Sequence, residues 1–78
     1  MVRIRFFGQT AEACGTQEQE WNLENGQTVK VLVEELERTY PDLQQLTYRV
    51  ARNAGMVDEQ ALLKVGDEIA LLPPFAGG

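Results

Sequence analysis

The stretch best equipped for chemistry in this 78-residue chain is "LLPPFAGG", Leu71 to Gly78. Pro73 and Pro74 offer no N–H to a sheet and favour a stiff, extended exit. Gly77 and Gly78 lack a Cβ, so they can thread a channel that any side chain would block. At ~3.3 Å per residue, the segment from Pro73 to Gly78 reaches about 20 Å. The group it would deliver is a carboxylate at Gly78. ATP can turn such a carboxylate into an acyl adenylate, and a sulfur nucleophile can then convert it to a thiocarboxylate. Gly78 is the least hindered residue for those steps, with Gly77 as its threading partner. Phe75 would anchor the tail to a partner.

The rest of the composition contributes little catalytic equipment. There is no histidine and one cysteine, Cys14. A zinc site or a nucleophile–histidine pair therefore cannot be assembled within the chain, and no metal site is expected. A lone cysteine gives no internal disulfide, and no cationic neighbour is evident that would activate Cys14. If the chain takes part in catalysis, a partner must supply most of the groups.

The elements that would carry this tail follow from periodicity. "VRIRFF" alternates Val2, Ile4 and Phe6 against Arg3, Arg5 and Phe7, which predicts a strand closed by Gly8. "GQTAEACGTQ" reads as a loop or short helix, and "EQEWNL", with Trp21 and Leu23 in phase, as a second strand forming a hairpin with the first. Asn25 and Gly26 mark a turn. Thr28 is placed to cap a helix whose stripe is Val29, Leu32, Val33, Leu36 and Tyr40, with Pro41 preventing continuation. "DLQQLT" is irregular or a short helical turn anchored by Leu43 and Leu46. "YRVARN" is a third strand, with a turn at Asn53–Gly55, a short return at Met56 and Val57, a turn at Val65–Asp67 and a last strand "EIALL".

One helix over a mixed sheet gives a two-layer α+β domain, matching a ubiquitin-like β-grasp. The domain spans residues 1–72, and 73–78 form a flexible, extended tail. If Val2, Ile4, Phe6, Ile69 and Leu71 face the helix, Phe7 and Leu72 fall on the uncovered face. With Met56 and Phe75 near them they would make an apolar patch rimmed by charge, the kind of surface that marks a protein interface.

Charge and length exclude other classes. Twelve acidic and seven basic residues give a net charge of −5. Arg3 with Arg5, and Arg49 with Arg52, form the basic clusters, and both read as exposed strand faces rather than a phosphate-binding stripe; no nucleic-acid partner is expected. No run approaches the ~20 apolar residues that span a bilayer, and Val2 opens a strand rather than a signal peptide. The expectation is a cytoplasmic protein without a membrane partner.

"GDEIALLPPFAGG" closely resembles the end of MoaD-type proteins, the small sulfur-carrier subunits of molybdopterin synthase in the MoaD/ThiS family. "VRIRFFGQTAEACG", "NGQTVKVLVEELERTYPDL" and "VARNAGMV" extend the resemblance along the chain. It implies a β-grasp that is not an enzyme by itself and binds no cofactor. A MoeB-type adenylyltransferase, related to ubiquitin-activating enzymes, would use ATP to activate Gly78. Sulfur would come from a cysteine desulfurase-type system. The loaded tail would enter a MoaE-type large subunit, which holds most of the catalytic residues, and sulfur would pass to cyclic pyranopterin monophosphate to build the molybdopterin dithiolene. Carried over, Pro73, Pro74, Phe75 and Ala76 form the inserted tail, and Phe7 and Leu72 match the docking face. The chain departs from the family at Ala11 in the first loop, at Arg52, at the Asn-Ala-Gly turn and at Phe75. Carriers for thiamine or another sulfur relay, and modifiers conjugated through Gly78, share the adenylation step.

Overall fold

The computed structural model describes residues 1–22 and 27–73. Leu23, Asn25, Gly26 and the tail from Pro74 to Gly78 lie outside the described residues, and with them the expected turn and the extended tail.

Strand β1 (Val2–Phe6) alternates fully, with Val2, Ile4 and Phe6 buried and Arg3 and Arg5 exposed. A short helix, α1 (Gln9–Cys14), follows and ends at Gly15, whose positive φ of 71° suits a left-handed cap. Strand β2 (Glu18–Trp21) returns antiparallel to β1, pairing Val2 with Trp21 and Arg5 with Glu18. The expected hairpin is therefore present, with α1 inside its connection.

Helix α2 (Val29–Thr39) begins where Thr28 Oγ1 accepts the Val31 N–H at 3.3 Å, satisfying one otherwise unpaired amide of the first turn. Its stripe of Val29, Leu32 and Leu36 is buried, while Lys30, Glu34 and Arg38 are exposed. Tyr40, at φ −123° and ψ 82°, has left the helical region ahead of Pro41. The chain then forms one 3-10 helix (Pro41–Gln45) that buries Leu43 completely. Strands β3 (Arg49–Arg52) and β4 (Gly55–Met56) meet through Asn53 and Ala54, both at positive φ, 49° and 71°. Such angles match the twist of a tight hairpin, although Ala54 lacks the usual tolerance for them.

Among the described residues the sheet has five strands in the order β2-β1-β5-β3-β4. Strand β5 (Glu68–Leu72) lies at the centre, parallel to β1 and antiparallel to β3. Ile4 sits beside Ile69 and Phe6 beside Leu71, so both central strands press apolar rows onto α2. The core comprises Val2, Ile4, Phe6, Val29, Leu32, Leu36, Leu43, Leu63, Ile69 and Leu71. The Phe6 and Tyr40 rings meet edge to face at 6.0 Å, tying β1 to the end of α2.

The arrangement corrects one expectation. Arg49 and Arg52 do not share an exposed face. Arg49 pairs with Leu72 on the uncovered side, whereas Arg52 pairs with Ile69 on the helix side, because residues three apart in a strand point oppositely. From there Arg52 Nη1 donates to the Leu62 carbonyl at 2.8 Å and lies 3.7 Å from Asp67 Oδ2.

Candidate functional site: the open sheet face and the root of the tail

The registers place the expected patch residues on one side of the sheet. On the side away from α2, β1 and its continuation present Arg3, Arg5 and Phe7; β5 presents Glu68, Ala70 and Leu72; β3 presents Arg49 and Ala51. Met56 of β4 pairs with Ala51 and falls on the same side. Phe7 is 38% and Met56 65% exposed, and Leu72 is half-buried. Phe7 and Leu72, singled out from their phase, thus share with Met56, expected near them, a face that no second layer covers among the described residues. Ala51 and Ala70, paired side by side, form the floor between them, which the periodicity argument did not identify.

Charge frames this face. The Arg5 guanidinium stacks over the Phe7 ring at 5.4 Å, and Arg3 pairs with Glu18 at 3.5 Å, half exposed. Such an exposed pair adds little stability.

The far end of β5 is fixed by a polar network. Asp67 is 7% exposed; its Oδ2 accepts the Lys64 N–H at 2.8 Å and its Oδ1 faces the Asn53 side-chain amide at 3.3 Å. Asn53 in turn accepts the Glu68 N–H at 2.9 Å and donates its own N–H to the Glu68 carbonyl at 2.8 Å. The "GDE" turn therefore binds the β3–β4 turn to the first residue of β5.

Pro73 is half-buried immediately after β5. Pro74, Phe75, Ala76, Gly77 and Gly78 lie outside the described residues. Among the described residues no group of three or more cysteine, aspartate or glutamate side chains could hold a metal ion, and no helix is long and apolar enough to cross a membrane. A groove of about 540 Å³ opens between α2 and β3–β4, lined by Val29, Val33, Val50 and Val57 and reached by Arg49 and Met56 from the open face. It does not touch Phe7, Leu72 or Pro73, and its polar lining is Lys30, Glu34, Tyr48, Arg49 and Glu59.

Cys14 is half-buried, and burial pushes its thiol from 9.0 up to about 11. It stays protonated near neutrality, as an inert thiol does. Tyr48 is shifted upward first by burial and then by Glu37, whose carboxylate accepts a hydrogen bond from its hydroxyl.

A mixed five-stranded sheet in this order, wrapped on one main helix, defines the ubiquitin-like β-grasp class. The profile of the ThiS family matches residues 4–78, and the chain belongs to that family. It is similar to the molybdopterin synthase sulfur carrier subunit of Mycobacterium tuberculosis, at 38% identity over 80 residues, covering 99% of this chain and 96% of that protein. Among solved structures, it resembles the complex of subunits 1 and 2 of molybdopterin-converting factor from Helicobacter pylori, with a TM-score of 0.72 and 29% identity over 99% of this chain and 97% of the matched one. It also resembles small archaeal modifier protein 1 from Methanosarcina acetivorans, with a TM-score of 0.82 and 26% identity over 99% of this chain and 95% of the other.

Proposed function

We propose that this chain is the sulfur-carrier subunit of a molybdopterin synthase, loaded at Gly78 and docked through its open sheet face. The observation that carries the reading is the full-length similarity to the Mycobacterium tuberculosis carrier, within a family match that runs to Gly78. A MoaE-type large subunit is the docking partner, in line with the two-subunit complex among the similar structures. Phe7, Met56 and Leu72 form the docking patch, and Pro73 to Ala76 carry Gly77 and Gly78 into the partner. The whole cycle would run in the cytoplasm.

The Gly78 carboxylate attacks the α-phosphorus of ATP on a MoeB-type enzyme, and pyrophosphate leaves. A protein persulfide from a desulfurase-type donor attacks the acyl carbon, and AMP leaves. A thiol reductant cleaves the resulting acyl disulfide, leaving the thiocarboxylate. In the large subunit its sulfur attacks a side-chain carbon of cyclic pyranopterin monophosphate, and the carbon–oxygen bond there breaks, its electron pair leaving with the oxygen as phosphate ester or water. Water then hydrolyses the acyl–sulfur bond, regenerating the carboxylate and leaving sulfur on the pterin. A dithiolene holds two sulfurs, so two loaded chains are consumed for each product.

The chain itself contributes an unhindered acyl group and a surface that aims it. Its large partners supply acids, bases and the nucleotide site. A second reading, conjugation to lysines through activated Gly78, draws on the similarity to the archaeal modifier. Intact-mass analysis after incubation with the MoeB-type enzyme, ATP and a sulfur donor separates the two. Exchange of one oxygen for sulfur at Gly78, followed by transfer to the pterin, is expected. Lysine-linked adducts without that exchange would replace the carrier reading with the modifier one.

A further inference from the structure

The first loop closes over the point where β5 ends. The Phe7 N–H donates to the Leu71 carbonyl at 3.2 Å, beyond the end of β1 proper. Thr10, only 2% exposed, brings its hydroxyl to the same spot. Its Oγ1 accepts the Phe7 N–H at 2.9 Å and lies 2.7 Å from the Phe7 carbonyl and 3.1 Å from the Leu71 carbonyl. One hydroxyl proton is thus shared between two strand-end carbonyls. Beside it, Gly8 holds φ 58° and ψ −129°, a conformation that L side chains avoid. A Cβ on Gly8 would sit 3.3 Å from Pro73 Cγ. Loop and tail root therefore meet through a missing side chain, while Thr10 fixes the carbonyl two residues before Pro73.

We propose that Gly8 and Thr10 are positioning residues that set the direction in which the chain leaves β5, and so where Gly78 is delivered. This rests on the carrier reading. Any five residues at full extension span about 17 Å, so a 20° error at the root, roughly a third of a radian, would displace the end of such a span by up to about 6 Å. A misplacement of even ~1 Å at a reacting group can cost on the order of a hundredfold in rate. If Thr10 merely satisfied a strand-end amide, its loss would lower stability and leave delivery by the folded protein untouched.

The test uses the full chain. In the wild type, a nuclear Overhauser contact between Gly8 Hα and Pro73 Hγ is expected. Thr10→Val, which keeps the shape and removes the hydroxyl, should weaken that contact and retain the Ile4–Ile69 contacts of the core. Single-turnover sulfur transfer from thiocarboxylated Thr10→Val at saturating large subunit should fall at least tenfold, with Kd for that subunit within threefold of wild type. Thr10→Ser should restore the rate. Should Thr10→Val not fold, Gly8→Ala, at an exposed position, must produce the same tenfold loss at saturation. Absence of the Gly8–Pro73 contact in the wild type overturns the proposal. So does a folded variant that transfers at the wild-type rate, or a loss that saturating partner removes. If wild-type thiocarboxylate donates no sulfur at all, the carrier reading fails, and the contact and its loss in Thr10→Val still decide the positioning claim.

Discussion

Replacing Phe7 by alanine tests the docking face directly. Phe7 is 38% exposed, which on a side chain of ~200 Å² leaves about 75 Å² to be covered by a partner. At ~25 cal/mol/Å² that area is worth about 2 kcal/mol, or roughly 25-fold in Kd. The substitution barely touches the core, because the ring lies on the uncovered face with Arg5 stacked on it. The control is Val31→Ala. Val31 is 40% exposed, almost the same fraction, but it sits on α2 in the opposite layer. Titration calorimetry of each full chain against the large subunit, at one fixed salt concentration, should show a 10- to 30-fold loss for Phe7→Ala and none for Val31→Ala. Thermal melts confirm that both are folded. Wild-type affinity in folded Phe7→Ala, or an equal loss in Val31→Ala, would refute the assignment of the open face as the docking surface.

Three further outcomes follow from the packing and the polar network. Thr28→Ala removes the cap that holds the Val31 N–H and should cost about 1 kcal/mol in urea unfolding, with the denaturant slope unchanged. Asp67→Ala strips the Lys64 N–H and Asn53 of an acceptor and should cost about 1–3 kcal/mol, with faster hydrogen exchange at Glu68, the residue Asn53 holds. Cys14 should alkylate slowly at pH 8 in the folded chain and speed up only toward pH 11, while a urea-unfolded sample reacts quickly at pH 8. The raised thiol also carries a sign for stability. The unfolded thiol loses its proton near 9.0 and the folded one near 11, so this contribution is complete below pH 9 and falls away through pH 11. A chain whose stability rises over that window would contradict the burial of Cys14.

The main helix and both central strands were legible because their residues obey a single period. Val2, Ile4 and Phe6 alternate without exception, and Val29, Leu32 and Leu36 return at helical spacing between a capping threonine and a proline. The shared face of Phe7 and Leu72 was legible for the complementary reason, as apolar residues out of phase with their own strands, whereas the place of Met56 depends on its pairing with Ala51. Other features depend on partners distant in sequence. Nothing local shows that β5 runs parallel to β1, since its alternating pattern would suit either direction. Arg52 groups with Arg49 by sequence, although three positions apart in one strand already sets them on opposite faces; the register with Ile69 decides that Arg52 is the one on the helix side. Thr10 lay within a small, polar stretch that reads as a loop or a short helix. Its burial comes from β5, 61 positions away, so composition gave no signal for it. The positive φ of Gly8 could have been suspected from its place at a strand end, but not its fit against Pro73.

The central position of β5 has a consequence for how the protein is made. Its parallel pairing with β1 joins residues about 65 positions apart, a contact that local structure cannot form in advance and that slows folding. Without Glu68–Leu72 the sheet loses its middle, and α2 has only half a surface to pack on. A chain interrupted during synthesis before this strand emerges would therefore remain unfolded and display no assembled sheet face. Because the tail is rooted on the strand that completes the fold, acquiring structure also certifies that synthesis has passed that strand. A partner that reads the assembled face screens out chains broken off before it.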